Sequence, residues 1–327
     1  MKPFASLVSS LFVSLLCAAL VPAGTARADD YPSRPIHVIT TSSAGGISDI
    51  FMRVLGDALR SHINDQPLII ENRPGGAGNI AARNCTEAAP DGYTICIINA
   101  DTAVYNQYLF KKVPFDPAKL SPIVNLFHLV QVLVVNSDLK AKTVDDLVAV
   151  SKNKPGTLSY LTAAIPMVVY MDSLKRSKGA DWVRVPFRGG GEATNAVLSG
   201  STPIALIGLA NVIAQIKAGK MNALALVNNI KSPQLPDVPT LAETGYKGAP
   251  SSTWYGLFAP AGTPKAIIDK LNTEITKIVS DKTFQEKYIL SRSLVPATNT
   301  PAEFAAEIKA EGVVAKEVMK QSGLPQL

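Results

Sequence analysis

Apolar side chains at Ile36, Val38 and Ile39 lead into a run of small residues, Thr40 through Gly46, and apolar positions then return at Ile50, Phe51, Val54, Leu55, Ala58 and Leu59. The first spacing suits a strand and the last a helix, so the stretch reads as strand, glycine turn, helix. The rhythm repeats. Residues 67–71 read as a strand, 72–79 as a second glycine turn and 80–88 as a helix. Pro90-Asp91-Gly92 then turns the chain into a strand at 93–98 that ends in the polar Asn99-Ala100-Asp101-Thr102. Strands alternating with helices predict a mainly parallel, doubly wound sheet, and such sheets bind ligands at the carboxyl ends of their strands.

Near residue 130 the pattern restarts. A strand at 129–135 precedes Thr143-Val144-Asp145-Asp146, which has capping-box spacing, and Lys154-Pro155-Gly156 ends the helix so begun. A strand at 158–161 runs into residues 162–167, read as an apolar loop, and a strand at 183–187 runs into Arg188-Gly189-Gly190-Gly191. A helix at 192–198, a strand at 204–207, a helix at 212–217 and a strand at 223–227 follow. After a proline-rich crossover at 233–239 come a strand at 252–260 and a helix with Pro264 at its start and a buried stripe of Ile267, Leu271, Ile275 and Ile278. Thr300-Pro301-Ala302-Glu303 opens the terminal helix. Two such units suit two lobes facing one cleft.

The ends and the composition place the chain. Lys2, an uncharged run over residues 4–21 and Ala26-Arg27-Ala28 have the order of a secretory signal, so residues 1–28 are expected to be removed and the protein to reside in the periplasm. Leu16 before Cys17 argues against lipid attachment. Loss of Lys2 and Arg27 lowers the formal charge from +6 to +4, a mild scattered excess that suits a small anion. With no basic run or aromatic platform, nucleic acid is not expected. Cys85 falls in a helical pattern and Cys96 in a strand, and either two buried thiols or one disulfide fits. His37, His62 and His128 lack metal-ligand spacing, so neither metal nor cofactor is expected.

Chemistry concentrates in the glycine turns. Glycine lets backbone N–H groups approach a ligand and a helix N-terminus carries partial positive charge, so the first turn is a candidate carboxylate or phosphate cradle, or an ordinary strand-to-helix turn. Gly76-x-Gly78-x-x-Ala81, with Asp101 further on, imitates a dinucleotide fingerprint. An exported chain meets little nicotinamide cofactor, and the opening strand-turn-helix lacks that motif. Ser42, Ser43 and Ser48 sit among glycines, but no G-x-S-x-G elbow or recognisable triad order accompanies them, so catalysis is not expected.

The motifs together resemble the periplasmic solute-binding receptors of tripartite tricarboxylate transporters, the Bug proteins. The likeness spans nearly the whole chain after the signal. It rests, in order, on Tyr31-Pro32-Ser33-Arg34-Pro35-Ile36, Ala44-Gly45-Gly46 with Asp49, and Glu71-Asn72-Arg73-Pro74-Gly75-Gly76-Ala77-Gly78-Asn79. Ala89-Pro90-Asp91-Gly92-Tyr93-Thr94, Val134-Val135-Asn136, Leu235-Pro236-Asp237-Val238-Pro239-Thr240 and the segment from Trp254 to Pro264 complete it. The resemblance implies a two-lobe periplasmic binding protein, type II-like, each lobe a mainly parallel sheet flanked by helices, with the ligand in the interlobe cleft. The expected division is 29–130 with 251–300 in lobe 1 and 131–250 with 301–327 in lobe 2, the C-terminal helix crossing back.

By the same resemblance a ligand carboxylate is held in the first turn, at Ser43, Ala44, Gly45, Gly46, Ile47, Ser48 and Asp49. Asp101, Thr102, Thr162, Ala163, Ala164, Arg188 and Gly189 complete the cavity. Three departures from the family's pattern matter. Thr41 and Ser42 stand where proline and an aromatic are usual, the loop after Thr162 is apolar, and Gly208 marks a region that is often acidic. The last two favour a dicarboxylate with an aromatic or aliphatic body over citrate or an amino acid. Arg188 is expected to fork onto a carboxylate, whereas Asp49 is read as structural, with Arg53 one turn later at ion-pair spacing. The implied partners are the large and small membrane subunits of such a transporter, with a sensor kinase as the alternative, and a monomer is expected.

Overall fold

The computed structural model describes residues 31–162, 165–185, 190–227, 230–246, 253–322 and 326. The expectations for the signal segment and for Ala163, Ala164, Arg188 and Gly189 fall outside the described residues. The strands are β1 (Ile36–Thr40), β2 (Leu68–Asn72), β3 (Thr94–Asn99), β4 (Leu120–Leu129), β5 (Gln131–Asn136), β6 (Ser159–Thr162), β7 (Val183–Arg184), β8 (Ile204–Gly208), β9 (Met221–Leu226), β10 (Trp254–Pro260) and β11 (Leu294–Pro296). The helices are α1 (Ile47–Leu59), α2 (Asn79–Thr86), α3 (Asn106–Leu109), α4 (Val144–Asn153), α5 (Ile165–Lys178), α6 (Gly190–Ser199), α7 (Ile213–Lys217), α8 (Lys265–Val279), α9 (Lys282–Phe284) and α10 (Pro301–Ser322).

The strands form two sheets, ordered β11-β4-β10-β3-β1-β2 and β7-β6-β8-β5-β9. Within the first, β1 runs parallel to β2 and β3, while β10 is antiparallel to β3 and β4 and β11 is antiparallel to β4. Within the second, β6 runs parallel to β7 and β8, while β5 is antiparallel to β8 and β9. The sheets are therefore mixed rather than mainly parallel. The reason is the route of the chain. It passes from the first sheet to the second at Val130, between β4 and β5, and returns between β9 and β10. A strand arriving from the other lobe starts at the shared edge and must run away from it. The parallel strands run toward that edge, so β5 and β10 oppose their neighbours.

Each sheet is covered on both faces. In the first lobe one face packs Phe51, Met52 and Leu55 of α1 and Leu271 and Ile275 of α8 against Val38, Ile95 and Phe127, and the Phe51 and Phe127 rings lie 4.6 Å apart. Burial of each such side chain stabilises the fold by roughly 1.5–3 kcal/mol. The other face carries α2, tied to β3 by a Cys85–Cys96 disulfide, which resolves the alternative left open above.

Two elements depart from the sequence reading. β4 fills a stretch where no strand was expected, because its middle, Ile123 to Phe127, is buried without a break and so shows no alternation. Residues 165–167, expected in an apolar loop, form the first turn of α5, with Pro166 at its start. Met167 is fully buried in the second lobe's core with Tyr160, Tyr170 and Leu206. An apolar run beginning with proline suits a helix start as well as a loop, and only the core behind it decides. Finally, α10 packs against β4 of one sheet and α5 of the other. Its approach to β10 is close: a Cβ added at Gly256 would lie 2.3 Å from the Phe304 ring, and Trp254 Nε1 donates to buried Glu311 at 2.7 Å.

Candidate functional site

Strand register places the turns on one edge. Tyr255 of β10 pairs with Asn99 of β3 on one side and with Phe127 of β4 on the other, so the end of β3 and the exit of β4 toward the second lobe lie side by side. β1 ends beside β3, with Thr40 opposite Ile97. In the second sheet Gly208, at the end of β8, pairs with Gln131, the first residue of β5, and β6 ends beside β8. The turns after β1 and β3 thus border the crossover from one side, and the ends of β6 and β8 border it from the other.

The turn after β1 is built from hydroxyls and one carboxylate. Thr40 Oγ1 and Ser48 Oγ lie 2.5 Å apart, the Ser48 hydroxyl donates to Ser42 Oγ at 2.7 Å, and the Ser42 amide donates to Thr40 Oγ1 at 3.1 Å. Asn72, at the end of β2, donates to the Ser42 carbonyl at 3.0 Å and to Asp49 at 3.1 Å. Asp49 also accepts from the Gly45 amide at 2.8 Å and from Arg53 at 2.8 Å. The Arg53 guanidinium chiefly, with the Gly45 amide and Asn72, holds the Asp49 carboxyl below its usual range against the opposing effect of burial. Asp49 is buried, and its charge is spent on bracing the turn and on Arg53.

The helix mouth itself stays open. Gly46 precedes α1 and, among the described residues, no side chain caps its first amides. Ser43, Ala44 and Gly45 are exposed, while Thr41, Ser42, Gly46 and Ile47 are half-buried. Gly46 has no room for a side chain, since a Cβ there would lie 2.5 Å from Ser42 Cβ. Uncapped amides at a helix N-terminus are donors without acceptors, and an anion is the natural partner.

The second glycine turn is closed. Thr102, expected to line the cleft, is buried, and its hydroxyl donates to Ala77 O at 3.0 Å and Asn99 Oδ1 at 2.6 Å. Asn106 donates to Ala77 O at 2.9 Å and to Asn79 Oδ1 at 2.7 Å. Gly78 has φ +86°, and a Cβ there would lie 2.1 Å from Thr102 Oγ1. These glycines permit a close packing of turn on turn, which accounts for the imitation of a dinucleotide fingerprint.

Asp101 is exposed, and desolvation by its surroundings pushes its carboxyl up to about 6. Gly208 is half-buried and its carbonyl accepts from Asn211 at 3.2 Å. Thr162 is buried, and its carbonyl accepts from Arg184 at 3.3 Å. Tyr255 is half-buried and stacks on Phe127 at 5.4 Å beside the end of β3. Only the strand order could have revealed it, whereas its neighbour Trp254 is fully buried. Concavities of about 360 Å³ beside Tyr170 and Tyr246 and of about 590 Å³ beside Pro122 and Asn272 share no residue with these turns.

Residues 51–321 match the profile of the family described as "Tripartite tricarboxylate transporter family receptor". Among solved structures, one titled as that of a periplasmic transporter is 32% identical, with a TM-score of 0.76 over 91% of this chain and 100% of that one. An R. palustris protein solved with adipate is 25% identical, with a TM-score of 0.77 over 91% and 100%. The periplasmic binding protein BugD is 26% identical, with a TM-score of 0.74 over 91% and 100%.

Proposed function

This chain belongs to the tripartite tricarboxylate transporter receptor family, and on that premise we propose that it is an extracytoplasmic receptor that captures a carboxylated small molecule and delivers it to a membrane transporter of that type. The observation that carries the reading is the uncapped start of α1, exposed beside the crossover between the sheets. One carboxylate of the ligand lies against that turn, at Ser43, Ala44, Gly45, Gly46, Ile47 and Ser48, and accepts from those of its amides that Asp49 and the Ser43 carbonyl do not already take, with the Thr41 and Ser42 hydroxyls beside it. The residues at the ends of β6 and β8, with Arg188 and Gly189, close over it from the second lobe. Closure follows from contacts that only the closed form makes, since a ligand shifts an equilibrium only by its differential affinity. The membrane subunits read the closed form.

The leaning toward a dicarboxylate with an apolar body loses part of its basis, because Met167 belongs to the core of the second lobe and cannot touch a ligand. A similar protein solved with adipate supports a small carboxylate as the general class. The test is a thermal-shift panel of benzoate, phthalate isomers, adipate, citrate, malate, glutamate and nicotinate. Stabilisation by at least one acid, with scattering curves that contract on its addition, is the expected result. A flat response across the panel would overturn the reading.

A further inference from the structure

The far half of α5 borders a cavity that the cleft does not use. Its walls come from Val144 at the start of α4, from residues between Val169 and Lys178 on α5, from Thr244 to Tyr246 and from Gln321 near the end of α10, and its volume is about 360 Å³. Small-molecule sites span roughly 300–1,000 Å³, so one ring fits. The wall is apolar and aromatic: Val144, Val169 and Leu174 are buried, and the Tyr170 and Tyr246 rings meet edge to face at 4.6 Å. One buried polar atom is left over. Tyr170 is 1% exposed, and its phenol oxygen has no hydrogen-bond partner. The charges that reach it are those of Tyr246, in the lining, and Asp145, the neighbour of Val144, which puts the phenol end of the ring at the cavity rather than in the core behind. Burial chiefly, with those two groups, pushes the phenol up, so it stays protonated and can donate. The hydroxyls of Ser173, Ser177 and Thr244 donate to the carbonyls of Tyr170, Ser173 and Leu241 and so are not its partners.

A buried hydroxyl without a partner is destabilising, and a ligand that supplies one removes the cost. The mouth of the cavity sets a second requirement. Lys178 is paired with Asp145, whereas Arg176 is exposed and makes no ion pair or hydrogen bond among the described residues. An exposed arginine needs no partner of its own, but it gives the mouth a positive sign. We propose that this cavity is a second ligand site, remote from the cleft, for a hydroxylated aromatic carboxylate: the ring lies against the two tyrosines and the apolar wall, the hydroxyl meets the Tyr170 phenol, and the carboxylate faces Arg176. Tyr170 and Arg176 stand six residues apart on α5, about 9 Å along the helix axis, which suits a single ring carrying a polar group at each end.

Calorimetry on the full protein with 4-hydroxybenzoate, 3-hydroxybenzoate and 4-hydroxyphenylacetate tests this against the cleft. At least one should bind the native chain, and should still bind when Gly46→Val crowds the turn after β1. Tyr170→Phe, in the native chain and in Gly46→Val alike, should weaken that binding at least tenfold and bring it to the level of the matching acid without the hydroxyl, benzoate or phenylacetate. Arg176→Gln should weaken the acids with and without the hydroxyl by the same factor. Because the phenol has no partner to lose, Tyr170→Phe should leave the urea-unfolding midpoint unchanged, so its loss of affinity is not a loss of fold. Failure of all three hydroxylated acids to bind would overturn the proposal. So would binding that Gly46→Val abolishes, or binding that Tyr170→Phe leaves unchanged. Each of these results leaves the receptor reading standing, because that reading rests on the turn after β1 and on the acids bound there.

Discussion

The two glycine turns of the first lobe, after β1 and after β2, make an instructive pair. The second is richer in glycine and looks more like a nucleotide site, yet Thr102 and Asn106 occupy the space beside it and spend their hydrogen bonds on its backbone. The first has hydroxyls and Asp49 behind it and exposed residues in front. Glycine content therefore does not distinguish a binding turn from a packing turn. What distinguishes them is whether a neighbouring side chain already fills the position that a ligand would take.

The largest effect that bears on this contrast is expected at Gly78. Gly78→Ala forces a side chain into a left-handed backbone and against Thr102, and should cost about 3 kcal/mol from strain plus a lost hydrogen bond. Urea unfolding measures it, and a loss near zero would mean that the second turn is not closely packed. Gly46→Val is the matching change in the first turn. Crowding against Ser42 should reshape the mouth of α1 and weaken binding of any acid found in the panel at least tenfold, about 1.4 kcal/mol. Calorimetry that finds affinity unchanged would move the anion elsewhere.

Thr102→Val removes two hydrogen bonds and should cost about 1–2 kcal/mol of stability with no change in affinity. A tenfold loss of affinity would erase the distinction between the turns. The smallest effect is expected for Arg53→Met. Asp49 has its carboxyl lowered in the folded state, so its contribution is complete above the ordinary carboxylate range, about 4, and disappears as pH falls through the lower folded value. Without Arg53 that contribution shrinks, so the variant should be less stable at neutral pH by about 1 kcal/mol or less, Arg53 being half exposed, and its difference from the native protein should vanish as pH falls through the carboxylate range in urea unfolding.

Much of this could be read along the chain because its cause is local. The alternation into Gly46 and the helical spacing from Phe51 to Leu59 specify β1 and α1, and the buried stripe of α8 matches its apolar positions. The capping box at Thr143 forms as its spacing predicts, with Asp146 N donating to Thr143 Oγ1 at 3.0 Å. The family motifs likewise lie in contiguous segments. β4 was not legible, since unbroken burial through its middle leaves no alternation to read, and neither was the fate of Met167, which depends on the core laid behind it.

The amino-acid order by itself determined the strand-turn-helix units, the restart that makes two lobes, the pairing spacing of Asp49 with Arg53 and the family. Tertiary structure alone decided which glycine turn stays open, that Cys85 joins Cys96, and that Tyr255 and Asp101 end on the edge where the lobes meet. The physical reason is one of range. Backbone conformation and capping answer to neighbours a few residues away, whereas occupancy and desolvation arise from side chains brought together across distant strands.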